Sequence, residues 1–184
     1  MKKVYVFLAD GFETVEALAE VDILRRASIE AVTVAVSDSK KIISAQKIEV
    51  NADVLISDVD ASDADVVFLP GGMPGTRNLE ADATVTDIVK RQYATGKIVA
   101  AICAAPSILG HLSMLEGKRA TCYPGFEKDL YGAEFADLPV VTDGKITTAC
   151  GAGAAFDFGF RLLSELTGDK ECADTLKKSM KYSK

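Results

Sequence analysis

The chain has 184 residues, of which 48% are hydrophobic and 26% are charged, and its formal net charge is -6. This composition is typical of one globular domain with a substantial core, which we place at residues 1–184. The acidic balance and the scattered basic residues argue against a nucleic-acid-binding surface. The first apolar run, residues 4–9, is too short for a signal peptide or a membrane span. We therefore expect a cytoplasmic protein that binds neither nucleic acid nor membrane.

The cysteines are isolated from one another in the sequence. They stand at positions 103, 122, 150 and 172, and the single histidine is His111. Because none of them forms a C-x-x-C pair and the cytosol is reducing, a disulfide framework is not expected. One histidine is also too few for a typical structural zinc site, so we expect no metal.

The N-terminal half alternates strands and helices. In chain order, we predict a strand at 4–9, a helix at 14–26 capped by Thr14, a strand at 31–36, an exposed hairpin or loop at 37–50, a short extended piece at 53–56, a strand at 64–69 and a helix from Asn78 to about Thr95. The strand at 64–69 leads directly into the glycine-rich turn 70–75.

The C-terminal half continues this alternation. In chain order, we predict a buried strand at 98–102, a helix from Pro106 to about Leu115, a short strand at 118–122, a helical turn at 126–131, a hairpin at 140–148 with a turn at Asp143-Gly144, a helix at 154–166 and a last helix to about Lys178 capped by Asp169.

Such alternation predicts a three-layer αβα sandwich around a doubly wound, mostly parallel sheet. Ligands bind such sheets beyond the carboxyl ends of the strands. Three turns are expected at this edge: 10–16, 70–75 and 103–106.

Cys103 lies between a buried strand and the helix that begins at Pro106. A sharp strand–turn–helix connection would hold the sulfur above the end of the sheet and near helix amides, which lower a thiol pKa below about 8.5. The amides of Gly72 and Ala104 are candidates for an oxyanion hole beside it. A reactive cysteine is our leading hypothesis, and a small, inert core residue is the alternative.

The activating partner of Cys103 is not a histidine. His111 lies on the same predicted helix, about 12 Å further along its axis, and is interpreted as a surface or packing residue. Glu13 and Glu16 begin the first helix at the same edge of the sheet. If buried, such a carboxyl would stay protonated and donate a hydrogen bond to a thiolate, whereas the alternative is a solvated charge.

The last part of the chain offers weaker signals. The segment Gly151-Ala152-Gly153 follows a strand but lacks the third glycine of a dinucleotide-binding fingerprint, so we interpret it as a tight turn at the same edge. Cys150 ends the preceding strand and could share that edge. Structural roles are the leading interpretation for Cys122, Cys150 and Cys172.

Several of these segments together resemble the ThiJ/PfpI superfamily. They are residues 69–72 and 100–106, and Glu16 with Val21-Asp22 and residues 25–27. The resemblance covers essentially the whole chain and is closest to the deglycase-like group associated with parkinsonism. It implies a flavodoxin-like fold, a homodimer and no cofactor. By position it makes Cys103 the nucleophilic, oxidation-sensitive cysteine and Glu16 its protonated partner, with Gly72 and Ala104 as oxyanion donors.

The resemblance also implies a function. It is cofactor-independent glyoxalase or deglycase chemistry on small reactive carbonyls such as methylglyoxal, with a stress-protective role. The alternative is a redox sensor in which Cys103 is oxidised to sulfinic acid, or a chaperone-like binding protein. Proteolysis and glutamine amidotransfer are not expected, because Ala104 follows Cys103 where the peptidase branch has histidine and no Cys-His-Glu triad is present.

The chain departs from the group's pattern at three positions. Tyr123 stands where a histidine lies near the cysteine, and Cys150 and Gln46 stand where arginines are found. Tyr123 and Cys150 are therefore expected to shape the substrate pocket.

Overall fold

The computed structural model describes residues 2–183 and is built around a seven-stranded sheet. In chain order the strands are β1 (Lys3–Leu8), β2 (Glu30–Ala35), β3 (Lys41–Ile43), β4 (Glu49–Asn51), β5 (Val54–Leu55), β6 (Val66–Leu69), β7 (Ile98–Ile102), β8 (Arg119–Ala120), β9 (Glu134–Phe135), β10 (Val140–Asp143) and β11 (Ile146–Ala149). The α-helices are α1 (Thr14–Arg26), α2 (Gly75–Ala81), α3 (Ala83–Ala94), α4 (Pro106–His111), α5 (Ala155–Thr167) and α6 (Lys170–Ser179).

The main sheet runs in the order β10-β11-β7-β6-β1-β2-β5 and is parallel except for the edge strand β10. Alternate residues of its strands face opposite layers. One face packs against α1 and α5, and the other packs against α3 and α4. The strands are almost continuously apolar because both faces are covered. The predicted αβα sandwich is confirmed.

Among residues 2–183, no helix has both the length and the apolar character needed to cross a membrane. The hairpin predicted at 140–148 is confirmed as β10–β11, and the segment 37–50 contains the antiparallel hairpin β3–β4. Asp169 caps α6 as predicted, since its carboxylate accepts from the amide of Glu171 at 2.8 Å.

Two helix predictions were wrong in extent. The single helix predicted from Asn78 is two helices, because Asp82 has extended backbone angles and its carboxylate caps α3 by accepting from the Val85 amide at 2.9 Å. The helix after Cys103 ends at His111 rather than Leu115, since Ser113 adopts a left-handed backbone with φ of 57°. The strand predicted at 118–122 is reduced to β8.

The predicted capping role of Thr14 was also wrong. Glu13 occupies the N-cap and Thr14 is the first helical residue. Gln46, in the turn between β3 and β4, supplies the missing acceptor, because its Oε1 accepts from the Thr14 amide at 3.2 Å and the Thr14 hydroxyl at 2.7 Å. The β3–β4 hairpin thus anchors the start of α1.

Candidate active site

The candidate site lies beyond the carboxyl ends of β1, β6 and β7, which are neighbours in the sheet. Parallel neighbours end at the same edge, so the loops that follow them lie side by side. The loop after β1 is tied to the loop after β6, since the Glu13 amide donates to the Gly71 carbonyl at 2.9 Å. The expected convergence of the three turns is found at this edge.

Cys103 adopts a left-handed backbone conformation with φ of 64°. For a residue with a side chain this conformation costs on the order of 1 kcal/mol and must be held by its surroundings. The Cys103 amide donates to the Ala149 carbonyl at 2.9 Å, and its carbonyl accepts from the Tyr123 amide at 2.8 Å. The turn therefore places the half-buried thiol between the sheet edge and the start of α4.

Glu16 is fully buried on α1 and faces the Cys103 thiol. Its Oε2 accepts from the Gly71 amide at 2.9 Å. Its other oxygen, Oε1, receives no N–H or O–H from any described residue. The thiol is thus the neighbour with which this carboxyl can exchange a proton.

Gly71 lies in the narrow space between these two groups. A Cβ at this position would be 2.6 Å from both the Cys103 Cβ and the Glu16 Oε2. Such contacts are too short for any side chain. Only glycine lets the carboxyl and the thiol approach each other here.

The carboxyl of Glu16 has a perturbed pKa. Burial raises its pKa to about 7, although the Cys103 thiol and the Gly71 amide act in the opposite direction. Desolvation penalises the charged form of an acid, so its proton is retained to higher pH. The prediction that a buried Glu16 resists ionisation is supported.

The sequence-based prediction for the thiol was wrong. Burial, together with repulsion from and hydrogen bonding to the Glu16 carboxylate, raises the pKa of Cys103 to about 12. The amides of Ala104 and Gly72 act in the opposite direction but are outweighed. The prediction considered how the helix amides lower the thiol pKa, but not how the removal of water from the sulfur raises it.

Glu16 and Cys103 must be treated as one coupled acid. When the pair has lost a single proton, the charge can be on the carboxylate or on the sulfur. The Ala104 and Gly72 amides stabilise the form with charge on the sulfur, which is the minor form because the pKa of the carboxyl is about 7 and that of the thiol about 12. In that form, Glu16 is the proton donor beside a thiolate.

The pair opens onto a cleft of about 370 Å³. Its lining residues are Glu13, Glu16, Gly72, Met73, Cys103, Ala104, Tyr123, Phe126 and Ala152. The walls away from the pair are largely apolar, and Tyr123 is 50% exposed. Within residues 2–183, no cluster of acidic, histidine and cysteine side chains is arranged to hold a metal ion. The cleft suits a small molecule with few charges.

The structure brings most of the sequence-predicted site residues together. Gly72, Ala104 and Tyr123 join Cys103 and Glu16 in the cleft, whereas Cys150 lies beside it and is not part of its lining. Sequence reasoning missed Met73, Phe126 and Ala152. Met73 and Ala152 lie within recognised turns, so their positions were available, but no pattern pointed to Phe126.

Two other polar residues have roles that the structure makes plain. His111 pairs with Glu80 at 2.5 Å and contacts the Tyr131 ring, which confirms that it is a packing residue. Gln46 lies close to the cleft, because its amide donates to the Glu13 carboxylate at 2.6 Å.

Known proteins share this architecture. A DJ-1 superfamily protein from Salmonella typhimurium, solved as a cysteine-to-alanine mutant, is 36% identical with a TM-score of 0.96, and each chain covers 100% of the other. An oxidized DJ-1 from Toxoplasma gondii is 34% identical with a TM-score of 0.95 over 100% of both chains.

Curated sequences agree with the structural comparison. Protein DJ-1 homolog B of Arabidopsis thaliana is 36% identical over 94% of this chain and 40% of its own length. The chain thus spans less than half of this plant relative. Protein dj-1beta of Drosophila melanogaster is 31% identical over 96% of this chain and 95% of its own length. The model of the DJ-1/PfpI family matches residues 2–165. The chain therefore belongs to the DJ-1/PfpI family.

Proposed function

We propose that the protein is a cofactor-independent enzyme that converts small reactive carbonyls, in the manner of a glyoxalase or deglycase, through Cys103. The observation that carries this proposal is the Cys103–Glu16 pair, which is held by Gly71 at the base of a small cleft. A nucleophile paired with a proton carrier is what addition to an aldehyde requires.

The chemistry follows from the positions of these groups. The Cys103 thiolate adds to the aldehyde carbon of an α-oxoaldehyde, and the carbonyl oxygen takes a proton to give a hemithioacetal. The amides of Gly72 and Ala104 lie beside the sulfur and can stabilise the oxyanion during addition. Glu16 then moves the proton from the former aldehyde carbon to the neighbouring carbonyl carbon, while the hydroxyl proton passes to the neighbouring oxygen, which gives a thioester of a 2-hydroxy acid. Water hydrolyses the thioester to a 2-hydroxy acid and restores the thiol.

Replacement of the nucleophile tests this proposal. Cys103→Ala is expected to abolish methylglyoxal consumption and lactate formation, because no other described thiol lines the cleft. Cys172→Ser is the matched control, since that thiol lies on α6 and should leave the rate unchanged. Methylglyoxal and lactate are both measured by chromatography over time. Equal rates for wild type and Cys103→Ala would contradict the proposal.

A redox sensor is the second candidate function. It is favoured by the half-buried Cys103 thiol at the cleft and by the structural likeness to a Toxoplasma gondii DJ-1 described as oxidized. Under excess peroxide, Cys103 is expected to gain two oxygens as a sulfinic acid, read out by intact mass and peptide mapping. Initial oxidation at Cys122 or Cys150 would contradict this candidate.

The setting of this activity is also part of the proposal. We expect a cytoplasmic, stress-protective protein that works as a homodimer, and a chaperone-like binding role is an alternative to its catalytic function. Exposed apolar side chains on α1 and the β3–β4 hairpin support a self-association surface: Val15, Ile43 and Ile48 are 46%, 41% and 48% exposed. Sedimentation equilibrium should give twice the chain mass of 19.6 kDa. A single-chain mass would contradict the dimer.

A further inference from the structure

Cys103 and Cys150 lie side by side at the ends of neighbouring parallel strands. In the register of β7 and β11, Ile102 lies opposite Ala149. The ladder continues for one more step, because the Cys103 amide donates to the Ala149 carbonyl at 2.9 Å. The position opposite Cys103 in this register is Cys150, and opposite positions of paired strands lie about 4.8 Å apart. Disulfides span Cα separations of roughly 4.4–6.8 Å.

The two side chains also share one face of the sheet. Both are half-buried and pack against the same apolar cluster, which contains residues of α1 and α5. A Cβ built on Gly151, the residue after Cys150, would be 4.0 Å from the Cys103 Sγ. Burial raises the pKa of Cys150, and Asp137 and Glu16 carboxylates add to this effect, so Glu16 acts on both thiols.

We propose that Cys150 is the resolving thiol for Cys103 and that peroxide converts this pair into an intramolecular disulfide. The Cys103 sulfur attacks one peroxide oxygen and the O–O bond breaks, which gives a sulfenic acid and water. The Cys150 sulfur then attacks the sulfenic sulfur, the S–O bond breaks, and a second water leaves. Two thiols have lost two electrons, and one hydrogen peroxide has been reduced to two waters.

Neither of the remaining cysteines packs in the same cluster as Cys103, although the Cys150 thiol is near enough to Cys122 to help raise the pKa of Cys122. Cys122 is only 2% exposed and packs in the cluster on the opposite face of the sheet. Cys172 packs with α6 in a third cluster. The disulfide would also protect Cys103 from irreversible oxidation, because it captures the sulfenic acid before a second oxygen is added. Sulfinic acid is then expected only when peroxide is in excess.

The test is stepwise oxidation of the full chain with hydrogen peroxide, followed by non-reducing digestion and mass spectrometry. Wild type is expected to give linked peptides containing Cys103 and Cys150, with the loss of two hydrogens. Cys150→Ser is expected to accumulate a sulfenic acid that dimedone traps, and to reach sulfinic acid at lower peroxide. Cys122→Ser is the matched control and should form the same disulfide as wild type.

Several results would overturn this inference. They are sulfinic acid at Cys103 at the same peroxide dose in wild type and Cys150→Ser, a link from Cys103 to Cys122 or to a second chain, or no oxidation of Cys103. Treatment with diamide, which oxidises thiols directly, should give the same Cys103–Cys150 link. Absence of this link after diamide treatment also overturns the pairing. All readouts are masses of the protein itself, so loss of the carbonyl activity would leave the result unaffected.

Discussion

Glu16→Gln is expected to lower turnover of methylglyoxal at pH 7.5 by about 100-fold or more, because glutamine can neither take nor return a proton. In wild type, the rate of Cys103 alkylation by iodoacetamide should rise with pH and level off above about 7, where Glu16 titrates. In the variant, the step near pH 7 disappears and alkylation keeps rising into the alkaline range, because Cys103 then titrates without a partner.

Glu13→Gln is the matched control for this result. Glu13 also lines the cleft, but its carboxylate is hydrogen-bonded to Gln46 and is not the partner of the thiol. The methylglyoxal turnover rate of Glu13→Gln should change by a few-fold at most, and its alkylation profile should keep the step near pH 7. A Glu16→Gln profile that matches wild type in both shape and rate would contradict the role of Glu16 as proton carrier.

The location of the site could be predicted because it depends on the order of strands, turns and helices along the chain and on the spacing of their apolar residues. A buried strand followed at once by a glycine-rich turn, and another followed by Cys103, must end at one edge if the sheet is parallel. Glu16 could be placed near that edge since it lies in the first turn of the helix after β1. None of this required knowledge of side-chain packing.

The electrostatics of the site could not be predicted in the same way. The sign of the Cys103 pKa shift depends on how much water the packed loops remove from the sulfur, and that is a property of the whole edge. Likewise, the single helix predicted after Asn78 ignored the competition between helix continuation and capping at Asp82. Such outcomes are decided by tertiary contacts that a local pattern does not contain.

Glu20 illustrates this limit most clearly. It lies one helical turn after Glu16 and is fully buried, and neither of its carboxyl oxygens has a hydrogen-bond partner among the described residues. It packs against α5 where Gly159 leaves room for it: a Cβ at Gly159 would be 2.7 Å from its Oε2. Burial raises the pKa of Glu20 well above its ordinary value, and the Glu16 carboxylate adds to this effect.

Glu20→Met is expected to increase the free energy of unfolding by about 2 kcal/mol at pH 5, and by more at neutral pH, because it removes two unsatisfied buried oxygens at similar side-chain length. The sign of the pH dependence follows from the raised pKa. The folded protein keeps a proton that the unfolded chain releases above about pH 4.5. The contribution of Glu20 to folding stability is therefore fully present below that pH and is lost as pH rises.

The gap between the variant and wild type should therefore widen with rising pH, at a rate approaching about 1.4 kcal/mol per pH unit while Glu20 remains protonated in the folded protein. Urea denaturation between pH 5 and pH 8 measures this directly. The matched control is Glu165→Met on α5, an exposed position that should shift stability by less than about 0.5 kcal/mol at every pH. Equal pH dependence of the free energy of unfolding in wild type and Glu20→Met would mean that Glu20 carries the same charge in the folded and unfolded chains. That result would contradict the raised pKa of the buried carboxyl.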